Sequence, residues 1–386
     1  MTGASGDARN LSALIGLGIC NHVVLGGSRV TVSLDALSRG ASAFTVGVLM
    51  ALYALLPMFF AVAAGRFADR VGVQRPMRIG CIGLVSGALL PVLVPQLPAL
   101  FVSAALVGVS FMAFQVATQH ATGGLGTAAD RPRNFSMLAM GYSISGFIGP
   151  LVAGITIDQW GFRAAFVLLA AIPIVPAMIL ASGRLRIAHV AVEKAAREGG
   201  GIWVLLQRPV LRWVFAVNAL FAVGWDLHTI FVPIYGAGLG LSASQIGAVL
   251  STFAAATFLV RLCMPAIMRH RSEEQVLTGA LFVAGAVYLA FPFSGSALTL
   301  AALSFVLGLG LGSGQPMVMS LLHTHAPPGR IGEAVGVRMS LVQTMAVAVP
   351  LLFGALGSSL GLAPVFWSVG ACLTTGGLLS RRRAGK

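Results

Sequence analysis

Charge is what this sequence has least of. Asp, Glu, Lys and Arg together make up 9% of its 386 residues, against about 25% in soluble globular domains. Hydrophobic residues reach 57%, which excludes an ordinary soluble domain. Strands of about ten residues with alternating polarity are missing too, and that excludes an outer-membrane barrel. No G-x-x-x-x-G-K-[ST] stretch occurs, so direct ATP drive is not expected. Cysteines are few. Cys20, Cys81, Cys263 and Cys372 each fall inside a long apolar run without C-x-x-C spacing. They read as packing residues, and no metal, redox site or cofactor is expected.

What the chain does have is long apolar runs. A helix that crosses a bilayer needs ~20 such residues. Division at charged or turn-rich stretches gives runs at 11–35, 43–64, 77–95, 98–121, 135–157 and 163–181. A second set follows at 210–234, 243–267, 275–291, 298–322, 336–357 and 363–380. The expected fold is therefore an all-α integral membrane protein with twelve transmembrane helices. The net charge of +14 raises the question of a nucleic-acid partner, and its distribution answers it. Apart from Arg29, Arg39, Arg163 and Arg261, the basic residues fall at the termini or in alternate loops, Arg338 among them. That is the positive-inside pattern, with both termini cytoplasmic.

The two sets of runs are also copies. Val32, Gly40, Ser42, Ala43 and Gly47 recur 200 residues later as Val232, Gly240, Ser242, Ala243 and Gly247. Gly108, Gln115, Pro150, Gly154, Gly161 and Phe166 recur as Gly308, Gln315, Pro350, Gly354, Gly361 and Phe366. The reading is two pseudo-symmetric six-helix bundles, residues 1–182 and 210–386, joined by a cytoplasmic linker over 183–209. A duplicated membrane bundle points to a transporter whose halves rock around a central site. Helix 10 adds Gly308, Gly310, Gly312 and Gly314 before Pro316. Glycines four apart give faces for close helix packing, and the proline weakens the hydrogen-bond ladder.

Between the second and third runs stands Gly65-Arg66-Phe67-Ala68-Asp69-Arg70-Val71-Gly72-Val73-Gln74-Arg75-Pro76. It resembles the signature cytoplasmic loop of the major facilitator superfamily, roughly G-x-L-A-D-R-x-G-R-K/R. Phe67 replaces the usual Leu, and Val73-Gln74 replaces the usual basic pair. The resemblance implies that fold for the whole chain and a gating role for the loop. Gly65 and Gly72 shape it, Asp69 and Arg70 act as a latch, and Arg131, Arg133, Arg330 and Glu333 complete it from neighbouring loops. An aspartate suits a latch because it accepts hydrogen bonds from arginines and from helix N-termini. In the fifth run, Gly146, Gly149, Pro150 and Gly154 partly resemble the superfamily's antiporter motif. That tilts the expectation toward proton-coupled outward transport.

Ionisable groups inside an apolar run require a partner or a task, since a charge at mid-bilayer costs at least ~2.5–3.5 kcal/mol. Arg29 lies in the first run and Asp226 in the seventh, and the repeat sets Asp226 opposite Gly26, one helical turn before Arg29. In the superfamily these two helices line the central path. Arg29 and Asp226 are thus expected to form a state-dependent pair, Asp226 carrying the proton and Arg29 meeting a substrate anion or serving as counter-ion. His228 and His22 are further proton carriers. Asn21, Gln115, Gln315, Tyr142, Trp225 and Gln343 are candidate substrate contacts. Asp35 and Arg39 read as a solvated i,i+4 pair, and Arg261 as a snorkelling structural residue. The expected function is secondary active transport by alternating access, with no catalytic residues and so no enzyme. Proton-coupled efflux of small amphipathic compounds leads, uptake of a small organic anion is the alternative, and a receptor or sensor on this fold is the rival of another class. Partners are the substrate, protons and lipid, for a monomer in a bacterial inner (plasma) membrane.

Overall fold

The structure, a computed structural model, describes residues 2–126, 130–183, 205–327 and 331–384. Among these the chain is helical throughout: α1 (Thr2–Ser38), α2 (Ala43–Val71), α3 (Gln74–Leu93), α4 (Leu97–Gly123), α5 (Arg131–Ala171) and α6 (Ile174–Ala181). Then come α7 (Pro209–Gly238), α8 (Ala243–Ile267), α9 (Glu273–Ala290), α10 (Ala297–His325), α11 (Ile331–Leu360) and α12 (Leu362–Ala384). Most of the linker, and Arg330 with it, lies outside the described residues. So do the side chains of Asp69, Arg131, Arg133 and Glu333.

Among the described residues, 11 helical stretches are long and apolar enough to cross a membrane. One of them, Asn134–Ala181, runs for 48 residues, more than twice what one crossing needs. The break within it is Gly161, whose φ of 79° and ψ of 174° leave the helical region. Its repeat mate Gly361 has φ 83° and separates α11 from α12. The fifth and sixth runs therefore meet at a one-residue kink that falls inside the gap read from sequence, 158–162. A residue with a Cβ rarely adopts such a φ, so both positions call for glycine. Gly40 (φ 80°) and Gly240 (φ 74°) turn the chain in the same way after α1 and α7.

Helix starts follow local chemistry. Ser272 and Ser296 each form a capping box with the residue three positions on, Gln275 and Thr299, at the heads of α9 and α10. Pro209 opens α7, where its missing N–H is of no consequence. Large apolar side chains such as Phe59, Ile82, Leu93, Trp160 and Leu298 stand exposed. Faces of this kind suit lipid better than water.

The chain forms two compact units. Unit 1 holds Met1–Gly40, Leu52–Lys194 and Ser242–Gly247, and unit 2 holds Ala41–Ala51, Ala195–Leu241 and Ala248–Lys386. Their internal packing is equivalent. In unit 1, α1 packs on α4 and α5, and α3 on α4 and α6; in unit 2, α7 packs on α10 and α11, and α9 on α10 and α12. Leu14, Met77, Cys81 and Phe114 centre one core. In the other, Phe291 and Phe366 stack with centroids 5.3 Å apart.

The repeat reaches close contacts. A Cβ on Gly247 would strike the Pro150 carbonyl within unit 1, and one on Gly47 would strike the Pro350 carbonyl within unit 2. The helix heads beside these contacts are held by equivalent residues. The Asp158 carboxylate accepts the backbone N–H groups of Ala243 at 2.9 Å and Ser244 at 2.7 Å. The Ser358 hydroxyl accepts that of Phe44 at 2.8 Å.

Candidate functional site

In unit 1, α1 carries Asn21, His22 and Arg29 toward α3, α5 and α2. The His22 ring stacks on Tyr142 at 5.0 Å and meets Phe111 edge-on at 5.4 Å. Its Nδ1 lies 2.7 Å from the Ser145 hydroxyl, which also donates to the Tyr142 carbonyl at 2.9 Å. A hydroxyl has one proton to give, so both contacts are satisfied when Nδ1 carries the hydrogen. Nε2 is then the basic nitrogen of the ring. Asn21 donates to the Cys81 sulfur at 3.4 Å, and its own oxygen is buried without a partner among the described residues. Arg29 lies over the Tyr53 ring, 5.4 Å from its centroid, at cation–π distance. The Tyr53 hydroxyl donates to Ser28 at 3.2 Å. The Arg29 Nε is buried with no hydrogen-bond partner among the described residues.

Unit 2 reuses these positions with other chemistry. Ser28 and Tyr53 correspond to His228 and Phe253, which also touch, their rings stacked at 4.1 Å. His228 is fully buried. Its Nε2 lies 3.0 Å from the Ser304 hydroxyl, while Nδ1 has no partner among the described residues. Trp225 packs edge-on against the same Phe253 at 4.9 Å. Asp226 is half-buried between them in sequence. Tyr288 donates to the carbonyl of Gly224, which fixes α9 against α7 at this level.

Arg261 is tied to α10: its Nε donates to the Gly312 carbonyl at 3.4 Å and its Nη2 to the Gln315 amide oxygen at 3.3 Å. Pro316 explains this, because it lacks the N–H that would otherwise bond Gly312, four residues earlier. Asp35 is not solvated. It is 2% exposed, and Arg39 bonds both its oxygens, at 2.8 and 3.1 Å, and the Pro95 carbonyl at 2.8 Å. His325, at the end of α10, is half-buried, with Nδ1 3.0 Å from the Leu321 carbonyl. Arg338 is not a loop residue. It stands in the second turn of α11, 8% exposed, with Nε donating to Asn218 at 3.0 Å.

Among the other candidates, Gln115 and Gln343 are half-buried and make no hydrogen bond among the described residues. Gly149 sits where a Cβ would come 2.8 Å from the Val23 carbonyl, so the fifth-run motif is a close crossing of α1 and α5. Gly72 ends α2 with φ 80°, and Arg70 is exposed beside it. Arg29 belongs to unit 1 and Asp226 to unit 2. Sequence reading missed Asn218 and Arg338 as a pair. The signal was there, since both polar residues fall in apolar runs.

The glycine faces of α10 are as the spacing implies. Gly308 and Gly312 meet Phe253, Ala256, Thr257 and Val260 of α8, while Gly310 meets α9 and Gly314 meets Phe221 of α7.

Known proteins give this arrangement its context. The chain is 24% identical to the class D tetracycline resistance protein of Salmonella ordonez over 336 residues, covering 85% of this chain and 84% of that one. It is 22% identical to the uncharacterized MFS-type transporter YuxJ of Bacillus subtilis, over 62% of this chain and 64% of that one. For the multidrug resistance protein MdtG of Citrobacter koseri the figures are 24% identity, 65% of this chain and 63% of that one. The chain thus spans just under two thirds of the length of YuxJ and of MdtG. Among solved structures, the peptide transporter POT in complex with sulfate superposes with a TM-score of 0.81 at 16% identity, over 98% of this chain and 94% of that one. An inward-facing, unoccupied bacterial homolog of the human lysosomal transporter Spinster gives 0.76 at 15%, over 98% of this chain and 94% of that one. The profile of the Major Facilitator Superfamily matches residues 14–350, so this chain, built of apolar membrane-length helices, belongs to that superfamily of transporters and is an integral membrane protein.

Proposed function

We propose that the chain carries out proton-coupled efflux of small amphipathic compounds by alternating access. In this reading Gly161 divides the long fifth stretch, giving twelve spans. Bundles 1–182 and 210–386 rock on either side of the 183–209 linker, with both termini in the cytoplasm of a bacterial cell, in a monomer of the inner membrane. The observation that carries it is the fully buried His228, with one ring nitrogen on Ser304 and the other unpartnered among the described residues. It lies two residues from the intramembrane carboxylate Asp226. An imidazole and a carboxylate carried by one helix in an apolar wall are groups that can take up and release protons.

Asp226 is the coupling carboxylate, and Arg29 is its state-dependent partner across the repeat. His22 and His228 support proton movement, and Tyr142 and Trp225 offer aromatic surface to an amphipathic compound. Asp69 and Arg70 latch the cytoplasmic side. The resemblance to a tetracycline resistance protein and to multidrug resistance proteins supports efflux. It makes tetracycline the first compound to test. The experiment is flux in proteoliposomes under an imposed pH gradient: substrate and protons moving in opposite directions support the reading. Ligand binding without flux would instead make the chain a sensor.

A further inference from the structure

We propose that Asn218 of α7 and Arg338 of α11 form an anion-binding site inside unit 2, and that the compounds this protein moves include ones whose carboxylate, sulfonate or phosphate docks there. The inference rests on the transport reading above and names the chemistry of its substrate.

Arg338 is 8% exposed and Asn218 is 4% exposed. One hydrogen bond joins them, from Nε of Arg338 to the amide oxygen of Asn218 at 3.0 Å. The rest of the cluster is donors looking for an acceptor. Nη1 of Arg338 meets the sulfur of its neighbour Met339 at 3.6 Å, a poor acceptor. Nδ2 of Asn218 is buried with no partner among the described residues. No carboxylate is paired with Arg338 among the described residues. Guanidinium donors in a fixed fork, with an amide donor beside them, match the paired oxygens of a carboxylate or phosphate.

Packing alone does not require these groups. The repeat places Gly18 and Leu138 at the equivalent positions of unit 1. There a Cβ on Gly18 would come 3.6 Å from the Leu138 side chain and 3.3 Å from the Tyr142 ring. The same helix crossing thus closes with apolar atoms in one copy and with a cation and an amide in the other. A buried charge is retained where it is paired or where it serves a pathway. Here the pair is supplied from outside.

The test is thermal stability of the purified full-length protein in detergent, titrated with benzoate, benzenesulfonate, inorganic phosphate and benzylammonium. The wild type is expected to melt several degrees higher with benzoate or benzenesulfonate, saturably, and to ignore benzylammonium. R338Q removes the shift. Because that variant risks misfolding, N218D is the sharper one: it sets a resident carboxylate against Arg338. It is expected to melt at or above the wild-type temperature while losing the anion response. If phosphate alone gives the full shift, the site stands and its occupant is a free inorganic anion rather than a substrate headgroup. A wild type unmoved by all three anions, or an N218D that keeps the response, overturns the proposal. Proton-coupled flux of tetracycline in proteoliposomes is read separately. Flux without an anion response sinks this inference alone, and an anion response without flux sinks the transport reading alone.

Discussion

Arg261 and Gly312 are joined by a bond that a proline makes necessary. The guanidinium of Arg261 donates to the Gly312 carbonyl, whose partner within α10 would be the absent N–H of Pro316. A buried carbonyl left open costs about 1–3 kcal/mol, and at 3.4 Å the lower figure applies. Arg261→Leu is therefore expected to lower the melting temperature. Adding Pro316→Ala, which restores the helix's own donor, should recover part of the loss. A double variant no better than Arg261→Leu would show that the arginine stabilises by another route.

At the head of α8, Asp158 does what Ser358 does at the head of α2, but with a charge. Two backbone N–H groups converge on its carboxylate. Negative charge at a helix N-terminus adds to the capping bond, together about 1 kcal/mol. Asp158→Asn keeps one acceptor oxygen and loses the charge, while Asp158→Ala loses both. The expected order of melting temperatures is wild type, Asn, then Ala. Ser358→Ala should fall by less than Asp158→Ala.

The α8–α10 crossing depends on Gly308. A Cβ there would press on the Phe253 carbonyl and on Ala256, 2.9 Å away. Forcing extra atoms into a packed contact costs about 1–3 kcal/mol, and a backbone carbonyl cannot step aside as a side chain can. Gly308→Ala is expected to destabilise by that amount and to slow transport. By contrast Gly279, with open space around it, should tolerate alanine. Denaturant or thermal melts of the two variants side by side check this.

Tyr53 serves Arg29 with its ring and Ser28 with its hydroxyl. Tyr53→Phe loses a hydrogen bond, about 1 kcal/mol, and keeps the aromatic face under the guanidinium. Tyr53→Leu removes the face as well, worth a further ~0.5–2 kcal/mol. If Arg29 acts in transport, Tyr53→Phe should retain most of the flux and Tyr53→Leu much less. Equal flux in both would separate Arg29 from the aromatic ring.

Spans and repeat were legible because both are written in long patterns. An apolar run needs no partner to be recognised, and Gly40 with Gly240 or Gly161 with Gly361 mark the same turns twice. Even so, the polar stretch 158–162 announces a break without showing that one residue of unusual φ, Gly161, makes it. The misread charges were those whose partners sit far off in sequence. Asp35 looks solvated until the Pro95 carbonyl is seen beside Arg39. Arg338 looks like an orientation charge until Asn218, 120 residues away, is found against it. Sequence spacing along one helix predicts neighbours on that helix; which face meets another helix depends on packing that no local pattern encodes. The Ser28–Tyr53 and His228–Phe253 contacts lie between, for the repeat aligns the positions while only the packed units bring them together.

Proton coupling through Asp226 is the central claim, and proteoliposomes test it most directly. Protein is reconstituted with a pH-sensitive dye inside, tetracycline is added, and proton movement is recorded for wild type and Asp226→Asn. The account predicts substrate-dependent proton movement in the wild type and its loss in the variant, while the variant still exchanges labelled for unlabelled substrate. Proton movement in Asp226→Asn equal to that of the wild type would contradict it.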